Sequence, residues 1–247
     1  MQASLMRIHR FLAIQSLYPL ILSSLLAMGL LGARMIFSRG WGYQNMPWNL
    51  FLAWVPYGFS FLALFLHRIA PRRWWILLFP AALWLIFFPN APYLVTDFLH
   101  LEHRPPIPLW YDIVMVSSFA WTGCFLAIAS LRTMQYLVTS YLGRLASWVF
   151  VMAALVMSGL GIYLGRFERW NSWDLFTQPQ DVAYDILLRL ANPFNNLRFF
   201  VFTLMFTAFL MVCYLMFTSI SHLEDHDRGS RKERGKQAIR NGMEKRR

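Results

Sequence analysis

The chain has 247 residues, of which 57% are hydrophobic, 17% aromatic and only 14% charged. Soluble domains carry about 25% charged residues, and 22 Phe with 11 Trp cannot all be hidden inside a water-soluble chain of this length. Collagen-like, coiled-coil, disulfide-scaffold and generally disordered classes are excluded too, which leaves an all-α polytopic membrane protein. The net charge of +11 does not signal nucleic acid: all twelve Asp and Glu lie at or after Asp97, and the tail after residue 220 holds nine Lys/Arg with no reader motif. Basic residues beside apolar runs read instead as topology signals and contacts to membrane lipid.

A helix needs about 20 apolar residues to span the hydrocarbon core. Six runs predict six transmembrane helices at 11–31, 48–66, 74–88, 107–131, 145–164 and 197–220, forming one membrane domain over 1–220. The first follows Arg7 and Arg10 but is longer than a signal h-region of about 7–15 residues, so it is read as a retained span. Cys124 and Cys213 fall in separate spans, as small core residues and not as a disulfide framework. With the N-terminus in the cytoplasm, cytoplasmic segments hold 16 Lys/Arg and outer segments 7, which puts both termini inside. The basic tail 221–247 then reads as cytoplasmic and disordered, and the loops 89–106 and 165–196 share the outer face.

The third run is short, carries Pro80 and ends Phe88-Pro89-Asn90-Ala91-Pro92. Two prolines around an Asn predict that the helix stops short of the far surface, leaving Asn90 and Tyr93 in a recess. From 93 to 104 the pattern predicts a short amphipathic helix with Tyr93, Thr96, Asp97, His100 and Arg104 on one face and His103 at its edge. Asp97 and His100 at i and i+3 suit acid/base work or a shared metal ion, with His103 as a further ligand and Asp112, Glu168 and Asp174 as other possible donors. The structural alternative is that Asp97 caps or pairs while His100 hydrogen-bonds at the interface.

The fifth run ends in a Gly161-x-x-x-Gly165 face suited to close helix packing. Beyond it lies the densest polar-aromatic stretch, 166–174. A helical continuation would place Arg166, Arg169, Trp170 and Trp173 on one side, as an anion or lipid-headgroup cradle facing Asp97 and His100. The competing reading is an aromatic-belt anchor whose arginines pair with Asp97, Asp112 or Asp174. Residues 182–190 recur at helical spacing and predict a short interfacial helix.

The strings Phe87-Phe88-Pro89-Asn90-Ala91-Pro92-Tyr93, Trp110-Tyr111-Asp112 and Arg169-Trp170-Asn171-Ser172-Trp173-Asp174 resemble those of the bacterial membrane proteins grouped as domain of unknown function 1361. The resemblance runs over about residues 51–217. It implies a multi-pass protein of the bacterial cytoplasmic membrane and carries no assigned activity.

The leading expectation is an outer-face site that acts on, or binds, a lipid-linked or anionic substrate. In it Asp97 and His100 serve as base or ligands, and Asp112 or Asp174 as a second carboxylate. Arg166 and Arg169 form an anion clamp, Asn90 and Tyr93 orient the substrate, and Trp170, Asn171 and Trp173 complete the binding surface. A non-enzymatic assembly or scaffold protein and a small transporter are the alternatives. Membrane lipid is the expected partner; cofactor, protein partners and reaction are not readable from these residues.

Overall fold

The computed structural model describes residues 17–38, 40–103 and 105–219. Among these there is no strand, and five helical stretches are long and apolar enough to cross a membrane. The outward surface of these helices confirms the class: Leu22, Phe79 and Leu145 are 69%, 70% and 82% exposed. Such a continuous apolar exterior is stable only against lipid. The chain is an all-α integral membrane protein.

Helix α1 (Leu17–Ser38) turns Leu20, Ala27, Leu31 and Arg34 inward, one stripe at helical spacing. Helix α2 (Met46–Ile69) starts with Pro47 in its first turn, where a missing N–H costs nothing. A 3₁₀ turn (Trp74–Leu77) leads into α3 (Leu78–Phe87), then α4 (Asn90–Tyr93) and a second 3₁₀ segment (Leu94–His100). Helix α5 (Leu109–Tyr163) ends in a π turn (Leu164–Glu168). After it come α6 (Asp174–Thr177), α7 (Pro179–Ala191) and α8 (Leu197–Ser219).

Three expectations are corrected. The first span reaches Ser38 rather than ending at residue 31; its first residues, 11–16, and the tail lie outside the described residues. The third does not stop at Pro89. Pro89 (φ −59°) and Asn90 keep helical dihedrals, so the chain bends and tightens without unwinding. A proline's fixed φ suits a helical first turn even as its ring removes a hydrogen bond. The segment 94–100 is 3₁₀ rather than α, and it ends in extended backbone at Leu101.

The fourth and fifth runs are joined by helix and not by a loop. Residues 132–142 contain no Gly or Pro, and Met134 and Leu137 are buried in the core. The break comes only at Gly143, whose φ of 85° and ψ of 176° place it where other residues rarely go. It divides α5 into a long first arm and a shorter second arm. Cys124 and Cys213 remain unbridged, as expected.

The first arm of α5 packs against α1 and α2, and α3 lies on α2. Helix α8 reaches both arms: Thr207 Oγ1 donates to the Leu155 carbonyl at 3.4 Å, and the Tyr214 hydroxyl donates to Gln135. Hydrogen bonds between helices add specificity in a medium without water. Ser23 meets Thr122 at 2.5 Å, Trp54 Nε1 donates to Ser24 at 3.1 Å, and the Tyr111 hydroxyl to the Leu30 carbonyl at 2.8 Å.

The strongest of these links is ionic. Arg34 donates Nε and Nη2 to the two oxygens of Asp112 at 2.6 and 3.0 Å, with side-chain exposures of 3% and 1%. Arg34 also stacks 4.7 Å from the Tyr43 ring centroid. Arg34, which lies beyond residue 31 and so counts among the seven Lys/Arg expected in outer segments, is thereby corrected to a core residue of α1.

Two substitutions test this packing by thermal unfolding in detergent. Asp112→Ala strands a buried guanidinium and is expected to cost about 3–5 kcal/mol, with Arg34→Met restoring much of it in the double variant. At Gly123, an added Cβ would lie 2.3 Å from the Ala91 carbonyl oxygen. Gly123→Ala is expected to cost roughly 1–3 kcal/mol, whereas Gly29→Ala, with nothing within 4 Å, costs none.

Candidate functional site

The site forms where three segments distant in sequence meet: the loop before α2, the 3₁₀ segment 94–100, and the π turn after α5. Glycine brings the second and third together. A Cβ on Gly161 would lie 2.7 Å from Pro89 Cγ, and one on Gly165 would lie 3.4 Å from the Tyr93 ring. The small face of α5 thus receives the bent end of the third helical segment.

The π turn then swings Arg166 across that junction. Its Nη2 lies 2.6 Å from Asp97 Oδ1, and its Nε and Nη2 donate to Thr96 Oγ1 at 2.8 and 2.5 Å. Nη1 stands 2.6 Å from His100 Nε2, which must accept because guanidinium only donates. The guanidinium carbon also lies 4.2 Å from the Tyr93 ring centroid. On the far side, Asn49 Nδ2 approaches Asp97 Oδ2 at 3.4 Å, and the Tyr43 hydroxyl donates to the His100 carbonyl at 3.3 Å. The Arg166 and Asp97 side chains are only 8% and 4% exposed, so this pair, too, is largely out of solvent.

Leu94, Thr96 and Asp97 are buried while Phe98, Leu99 and His100 are exposed, so the middle of the segment turns Thr96 and Asp97 inward and Phe98 and Leu99 out. That is the inverse of a soluble amphipathic turn and suits a lipid surround.

Two hollows open here and share Trp48, Asn49 and Tyr93 as lining. One, of about 450 Å³, is polar at its floor, with Asp97, His100 and Arg166, and is walled by Tyr43, Gln44 and Asn45. The other, of about 310 Å³, is largely apolar, with Leu52, Leu85, Met157 and Leu160, and is closed by Trp170 and Trp173. Among described non-glycine residues, the two with positive φ are Tyr43 (65°) and Arg169 (64°). One lines the polar hollow; the other immediately precedes Trp170. Strained backbone held in place by its surroundings clusters at functional sites, and π turns do so as well.

The other expected residues divide. Asn90 donates to the Phe87 carbonyl at 3.0 Å and to Ser172 at 2.8 Å, while Ser172 donates to the Ile86 carbonyl at 3.2 Å. These bonds stitch the loop after the π turn onto the bend, and Asn90 also lines the apolar hollow. Trp170 Nε1 donates to Asp185 at 3.2 Å. Asp174 turns back on its own loop, accepting from the Asn171 amide N–H at 2.6 Å and from Asn171 Nδ2 at 3.3 Å. Arg189 ties α7 to the π turn through Glu168 at 2.8 Å and pairs within α7 with Asp185 at 3.2 Å. Burial opposes its charge, yet the two carboxylates outweigh that and hold its guanidinium above the ordinary value.

Several roles are thereby corrected. Asp112 is no second carboxylate beside Asp97, because Arg34 holds it within the bundle. The helical continuation through 173 ends at the left-handed Arg169, so Arg169 is exposed, lines neither hollow and shares no clamp with Arg166. The metal candidates Asp97, His100 and His103 do not converge. Among the described residues no three His, Cys, Asp or Glu side chains gather. Arg166 bridges Asp97 and His100, and a guanidinium there repels a cation. His103 is exposed, and Arg104 is outside the described residues.

Thr96, Tyr43 and Asn49 belong to the site without having been singled out for it. Asn49 had a signal, a lone amide within an apolar run. Thr96 had one too, its place on the predicted face with Asp97 and His100, whereas Tyr43 had none, since only the fold brings it to the cleft.

Pairing and ligand-related roles of Asp97 separate experimentally. Removing one partner of a buried pair is expected to cost about 3–5 kcal/mol. Asp97→Asn and Arg166→Gln should each lower the unfolding temperature, and the double variant should recover part of the loss. Additive losses would show that the two side chains do not stabilise each other.

The family described as protein of unknown function (DUF1361) matches residues 48–213, a stretch that holds the bend, the Asp97–Arg166 pair and both arms of α5. No curated protein and no solved structure matches the chain. Since the match covers well over half of its length, the chain belongs to the DUF1361 family.

Proposed function

We propose that this protein is a six-pass protein of the bacterial cytoplasmic membrane, both termini inside, that binds a lipid-class amphiphile in the cleft beside Arg166. The observation that carries this reading is the division of the cleft. An apolar hollow between helices adjoins a polar one floored by an ion pair, and both meet at Trp48, Asn49 and Tyr93. Ligand sites are concave, mostly apolar and fixed by a few polar groups. A molecule with a polar head and a hydrocarbon part matches both halves.

Binding is favoured over hydrolysis or transfer because each candidate carboxylate is engaged: Asp97 by Arg166, Asp112 by Arg34 and Asp174 by Asn171. The six-pass count follows from reading the two arms of α5, separated at Gly143, as two crossings. Helix α7, with Val182 buried and Tyr184, Leu187 and Leu190 exposed, then lies along the outer interface. A scaffold reading draws on the same ion pairs, but it leaves the strained, hollowed junction without a use.

Two measurements test these statements. Single cysteines at His103 and Gln178, in a chain whose Cys124 and Cys213 are replaced by Ala, should react with an impermeant thiol reagent on intact cells, and a cysteine in the tail should not. The reverse pattern overturns the orientation. Native mass spectrometry of the purified chain should show bound lipid, and Met157→Trp, which fills the apolar hollow, should reduce it at least roughly tenfold.

A further inference from the structure

The polar hollow carries no net charge, and that narrows the head group it suits. Among the described residues lining it, Arg166 is the one guanidinium and Asp97 the one carboxylate, 2.6 Å apart. Every nitrogen of Arg166 is engaged, by Thr96, Asp97 or His100. Four of its five N–H groups are thereby committed, so a phosphate or carboxylate gripping Arg166 through two hydrogen bonds would have to displace one of these partners, and in displacing Asp97 would bring its own charge against a stranded carboxylate.

Neutral hydrogen-bonding groups are what the hollow does offer. Among the described residues Asp97 Oδ2 is met only by Asn49 at a long 3.4 Å, so toward them it still has accepting capacity. Gln44 and Asn45 are exposed amides on the opposite wall, each able to donate and accept. Trp41 and Trp48 stand 80% and 53% exposed at the rim. Trp48 lies 5.4 Å from the Phe51 ring at 30°, and the exposed part of such an amphipathic ring is suited to stack on an apolar surface while its edge stays wet. Amides, a carboxylate acceptor and exposed indole rings together fit a ring with hydroxyl groups around its edge and C–H groups on its face.

We propose that the head group is an uncharged sugar, so that the ligand is a neutral glycosylated lipid. Its hydroxyls would bond Asn49, Asp97 Oδ2 and the Gln44-Asn45 amides, its ring face would rest on Trp48, and its hydrocarbon would enter the hollow at Leu52 and Met157. This assignment rests on the reading of the two hollows as one amphiphile site.

The full chain, purified in a polyoxyethylene detergent to avoid sugar-headed surfactants, is offered three lipids with the same acyl chains. These are monoglucosyl diacylglycerol, anionic phosphatidylglycerol and headless diacylglycerol, with binding read by native mass spectrometry and by the shift in unfolding temperature. The glucosyl lipid is expected to bind at least roughly tenfold more tightly than either other lipid. Asn49→Leu and Trp48→Leu should reduce it to the level of diacylglycerol, their unliganded unfolding temperatures reporting whether each has folded. Phosphatidylglycerol binding as well as or better than the glucosyl lipid overturns the sugar assignment while leaving the amphiphile site standing. So does a preference that survives both substitutions. If none of the three lipids binds the unmutated chain, the amphiphile site falls as well. The comparison among lipids on the unmutated chain stands even if a variant fails to fold.

Discussion

A charge carried into hydrocarbon must find its counter-charge inside the protein, and that constraint organises this fold. Water is not there to screen it, and leaving it alone costs several kcal/mol. Arg34 near the end of α1 and Asp112 near the start of α5 meet this requirement as a two-toothed pair, and Arg166 and Asp97 meet it through a single short contact. Each pair joins segments about 70 or more positions apart. Helices that would otherwise slide on interchangeable apolar faces are thereby held in one register, a role well attested for isolated polar groups in apolar interfaces.

Close backbone approach is the second requirement, because ion pairs of this length need the elements almost in contact. The third helical segment can lie against α5 only where α5 has no side chain. Gly123 admits the Ala91 carbonyl and Leu94, and Gly161 admits the Pro89 ring. The prolines bend the segment without ending it, and the bend presents Thr96 and Asp97 to the π turn. Around that junction the two left-handed residues, Tyr43 and Arg169, mark backbone that is held by its neighbours and not by local preference.

The same geometry explains why the junction is hollow. Arg166 is held by its partners, the Tyr93 ring lies against it, and the loop 169–174 is sewn to the bend by Asn90 and Ser172. Rigid walls that do not collapse leave two cavities sharing three residues. An internally neutralised pair at the floor of one and an apolar lining in the other make the cleft selective by shape and hydrogen bonding rather than by net charge.

The membrane class, the helical fold and the apolar runs were legible in the residues, because hydrocarbon demands long uninterrupted apolar helices and composition reports them directly. So was the candidacy of Asp97, His100 and Arg166 for one cluster, since polar residues beside such runs are costly and few. Which acid met which arginine was not legible. Asp97, Asp112 and Asp174 are chemically alike, and only the packing of α1 against α5 gives Asp112 to Arg34 and leaves Asp97 for Arg166. The continuity of α5 through residues 132–142 was hidden by Arg132 and Arg144 at its ends, and the entry of Tyr43 into the cleft by its distance along the chain. Local pattern decides what each segment is; the tertiary structure decides which polar groups meet, because in a lipid surround a charge is satisfied by whatever partner the packing brings within reach.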